Sequence, residues 1–328
     1  MTEERITGYI KQIEDLVETG DVEELQELLS SLHPSDIADI FPRLGRLEQN
    51  FVWDLLPEQL SPEVLVELDA HIQEKLLKKL PEGEIGRLLD ELESDDAADV
   101  VGALDEEKAQ KVLSTLDLES RREMRRLLAY EEDTAGGIMA LEVAAVLETD
   151  TVDRAIRKIR ELHEREGIED IYTVYVTSQD GILKGAVSLR QLILARPQTP
   201  ISNIMETDII SVDTATDQEE VAALMRKYDL VSLPVVDSSH RLMGRITVDD
   251  VMDVIAEEAE EDLSIIAGTG DEEPGDRSAL RTTRERLPWL LTGLFGGLVS
   301  ATVLHHFKAS VLELIALAFF VPVISAMG

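Results

Sequence analysis

Carboxylates dominate the residues of this sequence that could do chemistry. A stretch that reads as a helix after Thr247 carries Asp249, Asp250, Asp253, Glu257, Glu258, Glu260, Glu261 and Asp262. With Val248, Val251, Met252 and Ile255 as its expected packing stripe, Asp250, Asp253, Glu257 and Glu261 fall at steps of three and four along another face. Like charges at that spacing repel by about 0.2–0.5 kcal/mol per pair, and acids near a helix C-terminus oppose its dipole. A divalent cation removes both penalties. Oxygen ligands without His or Cys nearby suit a hard ion such as magnesium, and the Asp-x-Asp-x-Asp-Gly loop of calcium sites is absent. The competing reading is a solvated acidic helix. Asp95 and Asp99 form a second pair, one helical turn apart, with a helix cap and a solvated side chain as their alternative roles.

The charge balance magnifies this pattern. The chain holds 67 acids against 31 Lys and Arg, a net charge of -36, and all of these except Lys308 and Glu313 lie in residues 1–286. Such a surface repels nucleic acid and anionic lipid and, through self-repulsion, disfavours its own compact state until cations neutralise it. There is no cysteine, which excludes disulfides, thiolate metal sites and a cysteine nucleophile. Nucleophile-elbow, Walker and Rossmann patterns are also missing, so no enzyme is expected.

These acids need elements to position them. From Arg5 to Tyr130 apolar residues recur at helical spacing, as in Ile10, Ile13, Leu16, Val17 and in Leu25, Leu28, Leu29, Leu32. Ser-, Asp- or Pro-led starts such as 33–39, 56–58, 80–82 and 93–99 predict a stack of short capped helices. After Gly136-Gly137 the period changes. Residues 171–176 and 183–188 read as strands around a turn at 178–181, followed by a helix at 189–195. The pattern recurs 59 residues later without a gap, Ile171–Ile193 over Leu230–Met252, with helices from Thr151 and Thr216 upstream of each copy. Two helix-strand-strand-helix copies are expected to pack as one pseudo-symmetric module.

Beyond this lies Leu287 to Phe307, with no Asp, Glu, Lys or Arg, long enough to cross a bilayer. Arg277, Arg281, Arg284 and Arg286 precede it and place residues 1–286 in the cytoplasm by the positive-inside bias. No secretory signal is visible at the N-terminus. His305-His306 reads as interfacial. A second apolar run begins near Val311 and is unfinished at Gly328, so the sequence is expected to be part of a longer chain.

The duplicated unit, with Leu-Pro-Val-Val-Asp at 233–237 and Gly-Arg-Ile-Thr-Val-Asp-Asp at 244–250, resembles a pair of cystathionine-β-synthase (CBS) domains. With Tyr130–Met139 before it and Ala316–Pro322 after it, essentially the whole chain resembles the MgtE magnesium transporter family, in that family's domain order. The resemblance implies a multidomain protein: an all-α helical-repeat N domain (1–135), an α/β tandem CBS pair (136–200 and 201–262), a plug segment (263–286) and transmembrane α-helices (287–328). It implies regulatory magnesium ions held at Glu63, Asp95, Asp99, Asp217, Glu219, Asp229, Asp250, Asp253, Glu258, Glu261 and Asp262, with Gly137 as a backbone ligand.

It further implies a homodimer in a bacterial inner membrane, joined through CBS and transmembrane domains, whose acidic faces part at low magnesium and close when ions bridge them, holding about 274–286 as a plug. The transport pore itself would need helices beyond Gly328. CBS pairs that bind adenosine nucleotides use a Thr or Ser and, three residues on, an Asp for the ribose hydroxyls. Thr247 and Asp250 match, whereas the first copy has Ser188 and Gln191, so one cleft could take ATP weakly. The alternative function is an adenine-nucleotide sensor regulating a membrane partner.

Overall fold

The computed structural model describes residues 3–166 and 171–267, together with 287, 291, 292, 294–299 and 302. It divides into two compact units, 1–254 and 255–328. The first opens with ten short helices: α1 (Glu3–Thr19), α2 (Val22–Ser31), α3 (Pro34–Ile40), α4 (Arg46–Leu55), α5 (Ser61–Val66), α6 (Ala70–Leu77), α7 (Glu82–Leu89), α8 (Ser94–Gly102), α9 (Glu106–Thr115) and α10 (Leu118–Leu127). Of the expected starts, 33–39 opens α3 with Pro34 in its first turn and His33 accepting from Ser35 N. Those at 80–82 and 93–99 open α7 and α8 without a side-chain cap from the preceding residue, and 56–58 forms a turn ahead of α5. Side-chain caps stand instead at Asp21, Asp105 and Asp117, which accept backbone N–H groups of α2, α9 and α10.

Two β-units follow. The first comprises β1 (Ala145–Leu147), α11 (Val152–Glu166), β2 (Thr173–Thr177), β3 (Leu183–Ser188) and α12 (Leu189–Leu194); the second, β4 (Val212–Asp213), α13 (Gln218–Tyr228), β5 (Ser232–Val236), β6 (Leu242–Thr247) and α14 (Val248–Ala267). The 59-residue offset holds for both hairpin strands. Each copy also has a short leading strand that the sequence reading omitted: β1 pairs parallel with β2, and β4 with β5. The second is shorter because Pro234, which stands where β2 has Tyr175, has no N–H to donate. Tyr175 N does donate to Ala144 O, at 2.8 Å.

The copies are interleaved rather than side by side. Ala140, ahead of the first copy, exchanges two backbone hydrogen bonds with Arg245 on β6 of the second (2.8 and 2.9 Å). Glu206, ahead of the second, exchanges two with Ala186 on β3 of the first (2.8 and 2.9 Å). Glycine makes both approaches possible: a Cβ at Gly244 would stand 2.5 Å from Ala140 O, and one at Gly185 2.2 Å from Glu206 O. A boundary drawn at 200 therefore cuts the sequence but not the packing. The tip of each hairpin meets the other, Leu183 N donating to His240 O and Leu242 N to Gly181 O.

The first copy has its own core around Val146, Val174, Val176 and Leu192. The second shares one continuous core with the helical domain, running from Ile13 and Leu65 through Val100 and Met139 to Leu233 and Val251. On α14 the packing stripe differs from that expected. Val251 and Val254 are buried, while Val248, Met252 and Ile255 are exposed, because the side of the helix facing the core is one step removed from the most apolar arc. The second unit holds the rest of α14 and scattered helical residues between Leu287 and Thr302. Among the described residues no helix is long and apolar enough to cross a membrane. The plug segment at 274–286, His305-His306 and the apolar run from Val311 lie outside the described residues, as does most of 287–307.

Candidate functional site

The start of α8 is the point where the helical domain meets the second β-unit. Ser94, its first residue, donates from Oγ to Glu142 Oε2 at 2.8 Å and accepts from Leu141 N at 2.7 Å. Glu142 also accepts from Ser94 N at 3.3 Å, so a carboxylate from the linker caps this helix. Beside it, Arg245 Nη2 donates to both oxygens of Glu93, at 2.8 and 3.1 Å. Arg245 is only 5% exposed, while the Glu93 side chain is half-buried, so the pair has one buried and one partly solvated partner.

Behind that ion pair the carboxylates accumulate. Asp95, Asp96 and Asp99 come from α8; Asp249, Asp250 and Asp253 come from the first turns of α14. Asp95 is 7% exposed, and burial, then the charges of Asp250, Asp96 and Glu93, hold it well above the usual carboxylate range. Burial and the neighbouring Asp250, Asp99 and Glu93 push Asp96 up to about 7. Asp250 and Asp253 are raised by burial too, Asp253 further by Glu67 just past the end of α5. Even Glu93 is raised, its burial outweighing the Arg245 guanidinium beside it. The arrangement holds more negative charge than its one buried guanidinium offsets, so it favours whatever neutralises it, protons or cations.

The expected metal residues fall into groups. Asp95, Asp99, Asp250 and Asp253 belong to this interface, although Asp95 is buried and Asp99 exposed. Asp95 is not the cap of α8; its Oδ1 accepts from Asp96 N within the first turn. Glu63 is exposed in the first turn of α5, one turn before Glu67.

Gly137, Asp217 and Glu219 form a second group. Segment 133–137 lies along the entry to α13, with Ala135 N donating to Thr216 O and Gln218 N to Asp133 O. Asp217 caps α13 by accepting from Glu219 N at 2.9 Å. Asp229 is the left-handed cap at the far end of the same helix, φ +53°. At about 1.5 Å per residue, the two ends of α13 lie too far apart to share an ion within one chain. Glu258 is half-buried on α14, and the side chains of Glu261 and Asp262 lie outside the described residues. Among the described residues, no three Asp, Glu or His side chains are arranged to hold a metal ion directly.

Thr247 and Asp250 do come together: Thr247 donates to Asp250 Oδ2 from Oγ1 at 2.6 Å and from N at 2.8 Å. This is a cap of α14, and the first copy repeats it as a full capping box between Ser188 and Gln191. Asp250 therefore serves both the cap and the acidic interface. A cleft of 230 Å³ opens beside it, lined by Tyr172, Thr173, Ser232, Arg245, Thr247 and Asp249 among others.

Sequence reading missed Glu67, Glu93, Asp96, Glu142 and Arg245. The signal for Arg245 was present: the 59-residue repeat sets it over Ala186, so a charge stands in a strand position that its counterpart fills with a methyl group.

A stack of short helices joined at the start of α8 to an interleaved pair of CBS-like units defines the class: a regulatory module built on a CBS pair. The family described as "MgtE intracellular N domain" matches residues 32–133, and the CBS domain family matches 201–257. A magnesium transporter MgtE of Thermus thermophilus is 37% identical over 96% of this chain and 71% of its own length. One of Bacillus subtilis is 32% identical over 95% of this chain and 69% of its own. The solved cytosolic domain of the Mg2+ channel MgtE in complex with ATP is 40% identical, with a TM-score of 0.71, covering 75% of this chain and 99% of that one. The chain belongs to the MgtE family of magnesium transporters.

Proposed function

We propose that this chain acts in magnesium transport across a membrane, and that residues 3–254 are its cytosolic magnesium-responsive gate. The observation that carries this reading is the opposition of α8 and α14, whose carboxylates are raised first by burial, those of Asp95 and Asp96 further by the charge of Asp250 across the interface. Magnesium keeps part of its water shell, so hydrated ions can bridge carboxylates that do not converge on a single point. Glu63, Asp95, Asp99, Asp250 and Asp253 would serve one such zone; Gly137, Asp217 and Glu219 a second. Asp229, Glu258, Glu261 and Asp262 would answer to a second copy of the chain. Weak sites acting together give the steep response that one millimolar site cannot.

In this reading the chain continues from a plug segment at 263–286 into membrane helices of a bacterial inner membrane. The relatives are transporters rather than enzymes. The test is a magnesium titration of the protein, followed by small-angle scattering and protease protection at the α8 interface. Compaction and protection at low millimolar magnesium are expected; an unchanged profile between chelator and about 10 mM magnesium overturns the reading, on the scale of weak oxygen-ligand sites.

Nucleotide binding is a second reading. It rests on the cleft beside Thr247 and on the relative solved with ATP. Because Asp250 Oδ2 is already engaged by Thr247, a ribose would have to share or displace that cap. Calorimetric titration with ATP, with and without Asp250→Asn, tests it.

A further inference from the structure

Arg245 stands apart from the carboxylates around it. Its backbone bonds to Ala140 are reproduced at the pseudo-symmetric position by Ala186 and Glu206, so the interleaving of the two β-units does not call for a charged side chain. The guanidinium serves something else: it crosses from β6 to the helical domain and holds both oxygens of Glu93, the residue immediately before α8, 152 positions away. Next to that contact, Leu141 N donates to Ser94, and Ser94 donates to Glu142. Together these direct bonds between protein groups join the start of α8 to β6 and the linker. The carboxylates of Asp95, Asp96, Asp249 and Asp250, which resist closure, lie directly behind it.

We propose that Arg245 is a positioning residue of the gate: a resident cation that keeps the start of α8 docked without magnesium and sets how much magnesium full closure requires. The proposal rests on the magnesium-dependent closure described above. Burying a guanidinium is costly unless it is paired, and removing it leaves the half-buried Glu93 carboxylate without its countercharge. Without Arg245, Glu93 would join the unneutralised acids and the magnesium needed would rise. A lysine would keep the charge but lose the planar guanidinium that carries Nη2 to both Glu93 oxygens.

The experiment uses the full chain in detergent, comparing wild type, Arg245→Met and Arg245→Lys in two arms. The first follows protease protection across a magnesium titration. The midpoint is expected to rise at least tenfold in Arg245→Met and less than about threefold in Arg245→Lys; recovery of the wild-type pattern at saturating magnesium establishes that each variant is folded. The second arm contains chelator only and follows hydrogen exchange at the Leu141 amide, which is expected to be protected in wild type and to exchange at least tenfold faster in Arg245→Met.

A midpoint in Arg245→Met within twofold of wild type overturns the proposal, as do equal shifts in the two variants or a Leu141 amide unprotected in wild-type chelator. If wild type itself fails to close with magnesium, the gating reading falls, while the second arm still reports on the docking contact. Should Arg245→Met not fold at any magnesium concentration, the Arg245→Lys midpoint and the wild-type exchange decide the matter alone.

Discussion

At the scale of single residues, the interface separates repulsion from ligation, and Asp96 and Asp250 report on each. Asp96 is raised to about 7 by burial and by the acids around it, and it makes no cap. Asp96→Asn removes repulsion, and the closed form should gain about 1 kcal/mol, a figure well below the full shift because the side chain keeps solvent contact. Its magnesium midpoint should fall. Asp250→Asn removes a candidate ligand as well as a charge, so its midpoint should rise and its titration become shallower. Equal shifts in the two variants would mean that charge alone governs closure.

The same residues fix the sign of the pH dependence. A carboxylate raised in the closed state stabilises that state fully below the ordinary carboxylate range, and this stabilisation is lost as pH rises through the raised value. In chelator, the closed population measured by scattering should therefore increase from pH 8 to pH 6, with Asp96 titrating near 7. The further change on adding magnesium should be smaller at pH 6 than at pH 8. What was legible at this scale was the run of acids on α14, because charge and helical spacing are written locally, whereas Asp95 and Asp99, read as one shared site, fall at a buried and an exposed position. Glu93 and Glu142 were not legible, because their meaning comes from partners 152 and 48 positions away.

At the scale of elements, the repeat was read with its register intact because hairpin strands carry two-residue periodicity, and the second copy confirmed the first. The leading strands β1 and β4 escaped because three and two residues are too few to show any period. The interleaving escaped for another reason: it is visible only in glycines whose missing Cβ makes room for a strand from the other copy. Those glycines make a prediction. Gly185→Ala would place a Cβ 2.2 Å from Glu206 O, backbone that cannot swing aside, so thermal or denaturant unfolding should show a loss of about 2–4 kcal/mol. Gly83, inside α7 with nothing within 4 Å of its would-be Cβ, is the control; Gly83→Ala should stabilise by about 0.5–1 kcal/mol through helix propensity.

At the scale of the whole molecule, the question is what covers the apolar residues that the CBS pair leaves outside. Ile193 on α12 and Met252 on α14 occupy equivalent positions in the repeat, and they are 69% and 66% exposed. Leu194 beside the first is 79% exposed. Two pseudo-symmetric helices that each present an apolar residue outward suit a self-complementary contact with a second copy, since a twofold axis places equivalent patches face to face. A second copy would also account for acids such as Asp229, which among the described residues no other candidate ligand joins. Full-length protein in detergent should accordingly run as a dimer in light scattering coupled to size exclusion. Ile193→Glu combined with Met252→Glu should shift it to a monomer while leaving its thermal stability nearly unchanged, because neither side chain packs in the core of one chain. The monomer should also close less steeply with magnesium, since any ion shared between copies would lose half of its ligands. A double variant that stays dimeric would place the contact elsewhere, and one that turns monomeric yet titrates with wild-type steepness would confine the response to carboxylates within a single chain.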